Sequence, residues 1–229
     1  MKFEDLGFLI NKNKYSENSV IADFYTKNNG KVTGIIFGAT STKLKNFLLA
    51  GNQFNIQYHS KSQKKVGYFK IEIEKIFTPY FLENKIKLNC IVYSLNLIRI
   101  LTVENQSNEK IYNQFFRLFE LLKQDQWLKN FVFWELEVIK FVGYDINFID
   151  YVDKNKISNN VSYISTLDGS KKIPLFLLKE NNSKLNNEDL KNGLKIVGDF
   201  LNKSVLIPNN INYPLSRTEF IKLIWSNLL

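Results

Sequence analysis

Histidine and cysteine are almost missing from this sequence: His59 and Cys90 are the only ones in 229 residues. A single cysteine excludes an intrachain disulfide. One residue of each type also excludes a structural zinc site built from Cys and His within one chain. His59 lies in a barrel-like strand beside a lysine-rich stretch and reads as a structural or surface side chain. Cys90, inside Leu88-Asn89-Cys90-Ile91-Val92, reads as a small core residue. Long apolar runs are missing too: nothing reaches the ~18 uninterrupted apolar residues of a membrane span. Met1-Lys2-Phe3-Glu4-Asp5 lacks the apolar run of a signal peptide. A soluble, cytoplasmic protein with no membrane partner is expected. No glycine-rich loop ends in Lys-Ser or Lys-Thr, and no strand-to-helix dinucleotide fingerprint occurs. Acidic residues are the scarcer charge, 22 against 31 Lys and Arg, for a formal net charge of +9.

What is present is apolar and patterned. Hydrophobic residues make up 45% of the chain, enough for a sizeable core. The first third has the period of β-structure. Short runs over residues 6–10, 19–26, 31–37, 54–58 and 67–76 alternate or are rich in strand formers. Asn28-Asn29-Gly30 supplies a hairpin turn. Five short antiparallel strands suit a small closed or partly closed barrel, which removes exposed edges. Beyond Pro79 the apolar period changes to about 3.6. Helices are expected over 86–101, 111–122 and 127–142, with Gly143 as a stop. Two more are expected over 190–201 and 214–229, the last opened by Ser216. Residues 163–169 suggest a short strand and turn. The expected fold is a five-stranded barrel over 1–78 and a helical domain over 79–229, with an irregular insertion at about 145–180.

The placement of charge is more informative than its sum. Lys12 and Lys14, Lys27 and Lys31, Lys43 and Lys45, and Lys61, Lys64 and Lys65 are read as loop residues of the barrel. Loops at one rim of a barrel can converge into a phosphate-binding surface. Tyr15, Phe37 and Tyr58 lie near these clusters as candidate base-stacking rings. The competing assignment puts them in the core, and for Phe37 the core is favoured. Arg99, Lys110, Arg117, Lys123 and Lys129 form a second basic group, and Lys195, Lys203, Arg217 and Lys222 a third, which reads equally as helix surface. The aromatics from Phe115 to Trp134 are either core or part of a peptide groove. At helical spacing the core is favoured, with Phe131 and Trp134 as its pair. Glu72 and Glu74 resemble a carboxylate pair but read as solvated surface groups. Glu135 and Glu137, two apart on a helix, do not face each other. No catalytic centre emerges and no cofactor is expected.

The order of these pieces resembles the bacterial RecO recombination-mediator family over nearly the whole chain. The opening GFLINKNKYSENSVIADFYTKNNGKVTGIIFGATSTKLKNFLLAGNQFNIQY is similar to the family's first domain. Its landmarks are Gly7, Glu17, Thr26, Gly30, Gly34, Gly38 and the stretch from Ser41 to Lys45. FVFWELEVIKFVGYDINF resembles the family's segment around Glu135, Leu136, Gly143 and Tyr144. VSYISTLDGSKKI is similar to relatives from α-proteobacteria, and LKNGLKIVGDFL and YPLSRTEFIKLI to the closing helices. The resemblance implies an oligonucleotide-binding fold for the barrel. It also implies non-catalytic binding of single- and double-stranded DNA and annealing of complementary strands. Together with RecR, such a protein would help load RecA onto strands coated by single-strand-binding protein, whose C-terminal tail the helical domain would hold. Many relatives carry a cysteine-built zinc module in the helical domain. Residues 145–170 here contain no cysteine, so no metal is expected. Where some relatives have arginines after the third strand, this chain has Thr40, Ser41, Thr42, Lys43 and Lys45, a stretch that keeps lysines but has less potential for bidentate phosphate contacts.

The expected DNA-binding residues are therefore Lys12, Lys14, Lys27, Lys31, Lys43, Lys45, Lys61, Lys64, Lys65, Arg99 and Arg117. Those expected to hold the partner's tail are Phe116, Lys123, Trp127 and Lys129. Association with the nucleoid during repair would follow. Three other readings stay open on the residues alone. One is a protein-interaction adaptor without intrinsic DNA affinity. Another is a metal-dependent nuclease with its site around Glu72 and Glu74. The third is an RNA-binding barrel, which phosphate contacts do not distinguish.

Overall fold

The computed structural model describes residues 1–61, 66–151, 161–166, 169–178 and 185–227. The chain divides into two compact units, Met1–Leu122 with Pro214–Phe220, and Lys123–Tyr213 with Ile221–Leu229.

The first unit opens with five strands: β1 (Lys2–Ser16), β2 (Ser19–Thr26), β3 (Gly30–Phe37), β4 (Gln53–His59) and β5 (Gly67–Lys75). They close a barrel in the order β1-β2-β3-β5-β4. All pairings are antiparallel except β3 with β5. This is the small five-stranded barrel that the alternation predicts, of the oligonucleotide-binding type. Val32 and Ile36 of β3 face the interior with Ala22, Phe24, Phe54, Ile56 and Phe69, the ring of Phe24 lying edge-on to those of Phe54 and Phe69. β1 is longer than its apolar run. Its first half pairs with β4 and its second with β2, with an irregularity between Leu9 and Asn11 that bends it from one partner to the other. Backbone pairing, which leaves no apolar signature, extends the strand to Ser16.

Two short elements escape a period-based reading because one turn is too short to show a period: the helix α1 (Thr42–Lys45) and the 3-10 turn Thr78–Phe81. The helices α2 (Lys85–Leu101) and α3 (Glu109–Leu121) follow. Each starts on an asparagine whose side chain accepts from the first-turn amides, Asn84 from Lys87 and Asn108 from Lys110 and Ile111. α3 meets the barrel through aromatic rings. Phe8 of β1 stacks on Phe115 at 4.6 Å and meets Phe116 and Tyr112 edge-on, while Tyr25 of β2 packs on Phe115 from the side. Such pairs each contribute about 0.5–1.5 kcal/mol beyond the area they bury.

Tyr25 is fully buried, with its hydroxyl against the Asn108 backbone. Burial raises its pKa from 10.0 to about 12, with the Asn108 backbone partly opposing the rise. The folded state therefore holds the phenolic proton more firmly than the unfolded chain. Stability from this source is fully present below pH 10 and is lost as pH rises through about 12. Tyr25→Phe should leave stability at neutral pH nearly unchanged and lessen the alkaline loss. Urea titrations of both proteins across that pH range check it. Lys12 and Lys31, whose pKa values burial lowers, act in the opposite direction but cancel between the two proteins. An identical alkaline loss in the variant would show that Tyr25 does not carry the effect.

The second unit contains α4 (Trp127–Phe141), the hairpin β6 (Val161–Thr166) with β7 (Gly169–Pro174), and α5 (Asn187–Phe200), which runs on into a π-helical turn, Leu201–Leu206. Gly143, at φ +104°, ends α4 as expected. Phe131 and Trp134 are buried and their rings stack at 5.6 Å, as their spacing predicts. Phe133 meets Phe176 edge-on, and Gly193 of α5 lies so close to Phe176 that a Cβ would come within 2.6 Å of its ring. Glu135 is fully buried and Glu137 half-buried. The last helix, α6 (Leu215–Asn227), follows Pro214, and its first half, to Phe220, belongs to the first unit. Ser216, expected to open it, sits in its first turn and accepts from Asn96 of α2. Arg217 is not helix surface: it is buried, its Nε donates to the Tyr93 hydroxyl and its guanidinium lies over the Tyr93 ring.

Candidate nucleic-acid interface

The basic residues expected to bind DNA fall into two groups, those whose cationic head also contacts the fold and those turned to solvent. Lys31, near the start of β3, belongs to the first. Its Nζ donates to the carbonyls of Arg99 (3.0 Å) and Thr102 (2.7 Å), where α2 ends. A cation is favourable at a helix C-terminus. Burial lowers the pKa of Lys31, an effect that Glu104 and Asp23 oppose and Arg99 reinforces. Arg99 lies 3.7 Å from the Asp23 carboxylate and reaches the Asn96 side chain. Asp23 also accepts from Asn11 and Thr33. Lys12 donates to the Leu48 carbonyl, and burial lowers its pKa. These three basic groups thus brace the barrel.

Of the residues expected to bind DNA, Lys14, Lys27, Lys45 and Lys61 are exposed and turned to solvent; Lys12 is exposed as well but keeps its contact to Leu48. Lys43 is a residue of α1, but its side chain lies outside the described residues, as do Lys64 and Lys65 entirely. The loop assignment needs correction. Lys12 and Lys14 are strand residues opposite Ala22 and Val20, Lys31 is a strand residue opposite Tyr25, and Lys43 and Lys45 are helical. Among the described residues of this set, only Lys27, at a hairpin turn, and Lys61, after β4, stand clear of regular structure. Lysine runs look like loops in a sequence because they are polar. Long side chains at a barrel rim are equally polar while their backbone stays paired.

The rings near these lysines also depart from expectation. Tyr58 is buried in the barrel core, and Tyr15 is 58% exposed. Phe37, expected in the core, is 60% exposed. β3 carries apolar residues on both faces, so alternation alone does not show which face is inside. Two residues that the sequence did not single out as ring partners join Phe37. Tyr68 of β5 has its centroid 6.2 Å from that of Phe37, and His59 of β4 stacks on Tyr68 at 5.2 Å with 16° between planes. The signal was available in Gly67-Tyr68-Phe69-Lys70-Ile71, where Tyr68 and Lys70 alternate with the inward Phe69.

Of the residues expected to hold a partner peptide, Phe116 belongs to the first unit. It is half-buried and packs against Phe8, Phe77 and Tyr112. Lys123, Trp127 and Lys129 belong to the second unit, Lys123 exposed and the other two half-buried. Arg117 of α3 is exposed. Glu72 and Glu74 are exposed on β5, and no three His, Cys, Asp or Glu side chains among the described residues group as metal ligands. No described helix is long and apolar enough to cross a membrane.

Comparison with known proteins accounts for both parts of this architecture. Residues 1–77 match the family described as "Recombination protein O N terminal", and residues 83–210 match "Recombination protein O C terminal". The chain is 29% identical to the DNA repair protein RecO of Rickettsia typhi, with 98% of this chain and 99% of that protein covered. It is 24% identical to the DNA repair protein RecO of Wolbachia pipientis from Culex pipiens, over 93% and 96% of the two chains. It is also 24% identical to that of Rickettsia canadensis, over 98% and 97%. With a barrel and a helical part each matched in order and relatives aligned end to end, the chain belongs to the RecO family of DNA repair and recombination proteins.

Proposed function

We propose that the protein is a non-catalytic recombination mediator that binds single- and double-stranded DNA through phosphate contacts and anneals complementary strands. The observation that carries this reading is the set of exposed barrel lysines, Lys14, Lys27, Lys45 and Lys61, on a chain of net charge +9. The exposed Arg117 adds a further cation, and Lys43, Lys64 and Lys65, whose side chains lie outside the described residues, keep the phosphate-binding role expected from the sequence. Holding two strands on one basic surface reduces their repulsion and raises their local concentration, which speeds pairing. Lys31, held on the carbonyls of Arg99 and Thr102, adds positive potential, while the exposed Lys12 and partly exposed Arg99 support the barrel and lie within reach of phosphates. The protein works with RecR to assist RecA loading. It is brought to coated strands by the acidic, apolar tail of single-strand-binding protein, which meets Lys123, Trp127 and Lys129. Its place of work is the cytoplasm, at the nucleoid during repair.

Replacing Lys14, Lys45 and Lys61 together by Gln should reduce the slope of log affinity against log salt on duplex DNA by roughly two to three, about 0.9 per lost phosphate contact. Annealing of complementary strands should slow in parallel, while the thermal transition stays in place. An unchanged slope would overturn the lysine assignment. Salt-insensitive or absent DNA binding alongside retained tail binding would favour the adaptor reading. Magnesium-dependent strand cleavage abolished by Glu72→Gln would favour the nuclease.

A further inference from the structure

The outer surface of the barrel is not equally available all round. On β2 and β3, Asp23 and Thr33 are occupied by Arg99 and Glu104, Tyr25 is covered by α3, and the segment after α2 bridges to Lys31. The β2–β3 face, which barrels of this type often offer to oligonucleotides, is therefore partly covered by the chain's own helices. The outer surface of β3, β5 and β4 beyond it is different. There the register aligns one outward row, with Ile35 opposite Tyr68, Tyr68 opposite His59, and His59 opposite Lys2. Phe37 stands two residues beyond Ile35.

We infer that this row is a base-stacking platform for single-stranded DNA, with Phe37 and Tyr68 as the stacking rings. The inference rests on the DNA-binding reading above and assigns it a second, non-electrostatic contact. Three observations support it. Phe37 and Tyr68 are exposed by 60% and 40%, although burying rings of this size would stabilise the fold. The Tyr68 ring is ordered in advance by the near-parallel His59, so little side-chain freedom is lost on stacking. The row is bordered by exposed Lys2, Lys61 and Lys70, so phosphates on either side of a stacked base meet positive charge. Further along β5 the sign reverses at Glu72 and Glu74, which limits the platform to the Tyr68 end. A duplex keeps its bases stacked inside and can use only the lysines. A single strand can use both lysines and rings.

The test compares the full chain with three labelled probes at one salt concentration: a short thymidylate oligomer, an abasic oligomer of the same length, and a blunt duplex. The wild type should bind thymidylate more tightly than the abasic chain by roughly 5- to 150-fold per stacked base. The double variant Phe37→Leu with Tyr68→Leu keeps apolar bulk but removes the ring faces. It should erase the thymidylate preference while duplex affinity stays within about two-fold, as expected of unchanged phosphate contacts. Tyr68→Phe should keep the preference, because it keeps the ring. A sheet-stabilising role alone predicts a lower melting temperature in the double variant with the preference intact, and that result overturns the platform. Equal binding of thymidylate and abasic chains by the wild type also overturns it, while leaving phosphate binding in place. If the wild type binds none of the three probes, the DNA-binding reading fails and the platform with it.

Discussion

Gly30→Ala should lower the stability of the first unit by about 3 kcal/mol or more, among the largest effects expected from one added methyl group. Gly30 begins β3 at φ +67°, in the left-handed region. A Cβ there would lie 2.0 Å from the Gln106 carbonyl oxygen, 2.3 Å from its carbon and 2.9 Å from the Ser107 nitrogen. These are backbone atoms and cannot swing aside like the end of a side chain. Their segment is also fastened in place. The Asn105 amide donates to the Lys31 carbonyl, and the Lys31 amine donates to Arg99 and Thr102. Either the strand start or the segment after α2 must shift, with loss of these bonds. Gly38→Ala is the control, because Gly38 has a similar φ of +71° with nothing within 4 Å of the added atom. It should show only the left-handed cost of roughly 1–2 kcal/mol. Urea unfolding of both variants decides the matter. Equal losses would mean that the close approach of residues 30 and 106 does not limit the fold.

Asn52→Leu should cost about 3–5 kcal/mol, from the two or three buried polar groups that it would leave unpaired. Asn52 is fully buried just before β4. Its Nδ2 donates to the Phe47 carbonyl (2.9 Å), and its Oδ1 accepts from the Phe77 (2.9 Å) and Thr78 (3.2 Å) amides. One side chain thus ties the stretch after α1 to the exit from β5, where the chain leaves the barrel for the helices. Leucine is close in size and leaves no large cavity, so the measured loss would report the lost bonds. The two amides would then be buried without an acceptor, the costliest outcome for a backbone donor. Equilibrium unfolding in urea and hydrogen exchange at Phe77 and Thr78 check this. A loss below about 1 kcal/mol, with both amides still protected, would mean that water or a shifted carbonyl replaces the side chain.

Asparagine shows how much of this fold could be read in advance. In the sequence its abundance looks like composition. In the structure individual asparagines do different jobs, as helix caps at Asn84, Asn108 and Asn186, as left-handed residues at Asn105 and Asn210, and as a buried clamp at Asn52. A cap or a turn is local, and Asn28-Asn29-Gly30 is visible as a hairpin for that reason. Its anchor is not visible: the buried Asp5 carboxylate, more than twenty residues away, accepts from the Asn28 backbone and from both asparagine side chains.

The same distinction holds for the candidate interface. Strand and helix periods follow from side-chain geometry along one segment, so the barrel, the helices and their order are legible in the sequence. The overall positive charge was equally legible. What a given lysine does was not, because that depends on which carbonyls or carboxylates the folded chain brings to it. Lys31 and Lys14 look alike in sequence, yet one ends inside the fold on the carbonyls of Arg99 and Thr102 and the other in solvent. Phe37 is the sharpest case. β3 is apolar on both faces, so its period allows either face to be buried. Closure of the barrel through the parallel β3–β5 pairing turned Val32 and Ile36 inward and left Phe37 outside beside Tyr68. Local pattern decided which elements form, and long-range strand pairing decided which faces and charges remain for a partner.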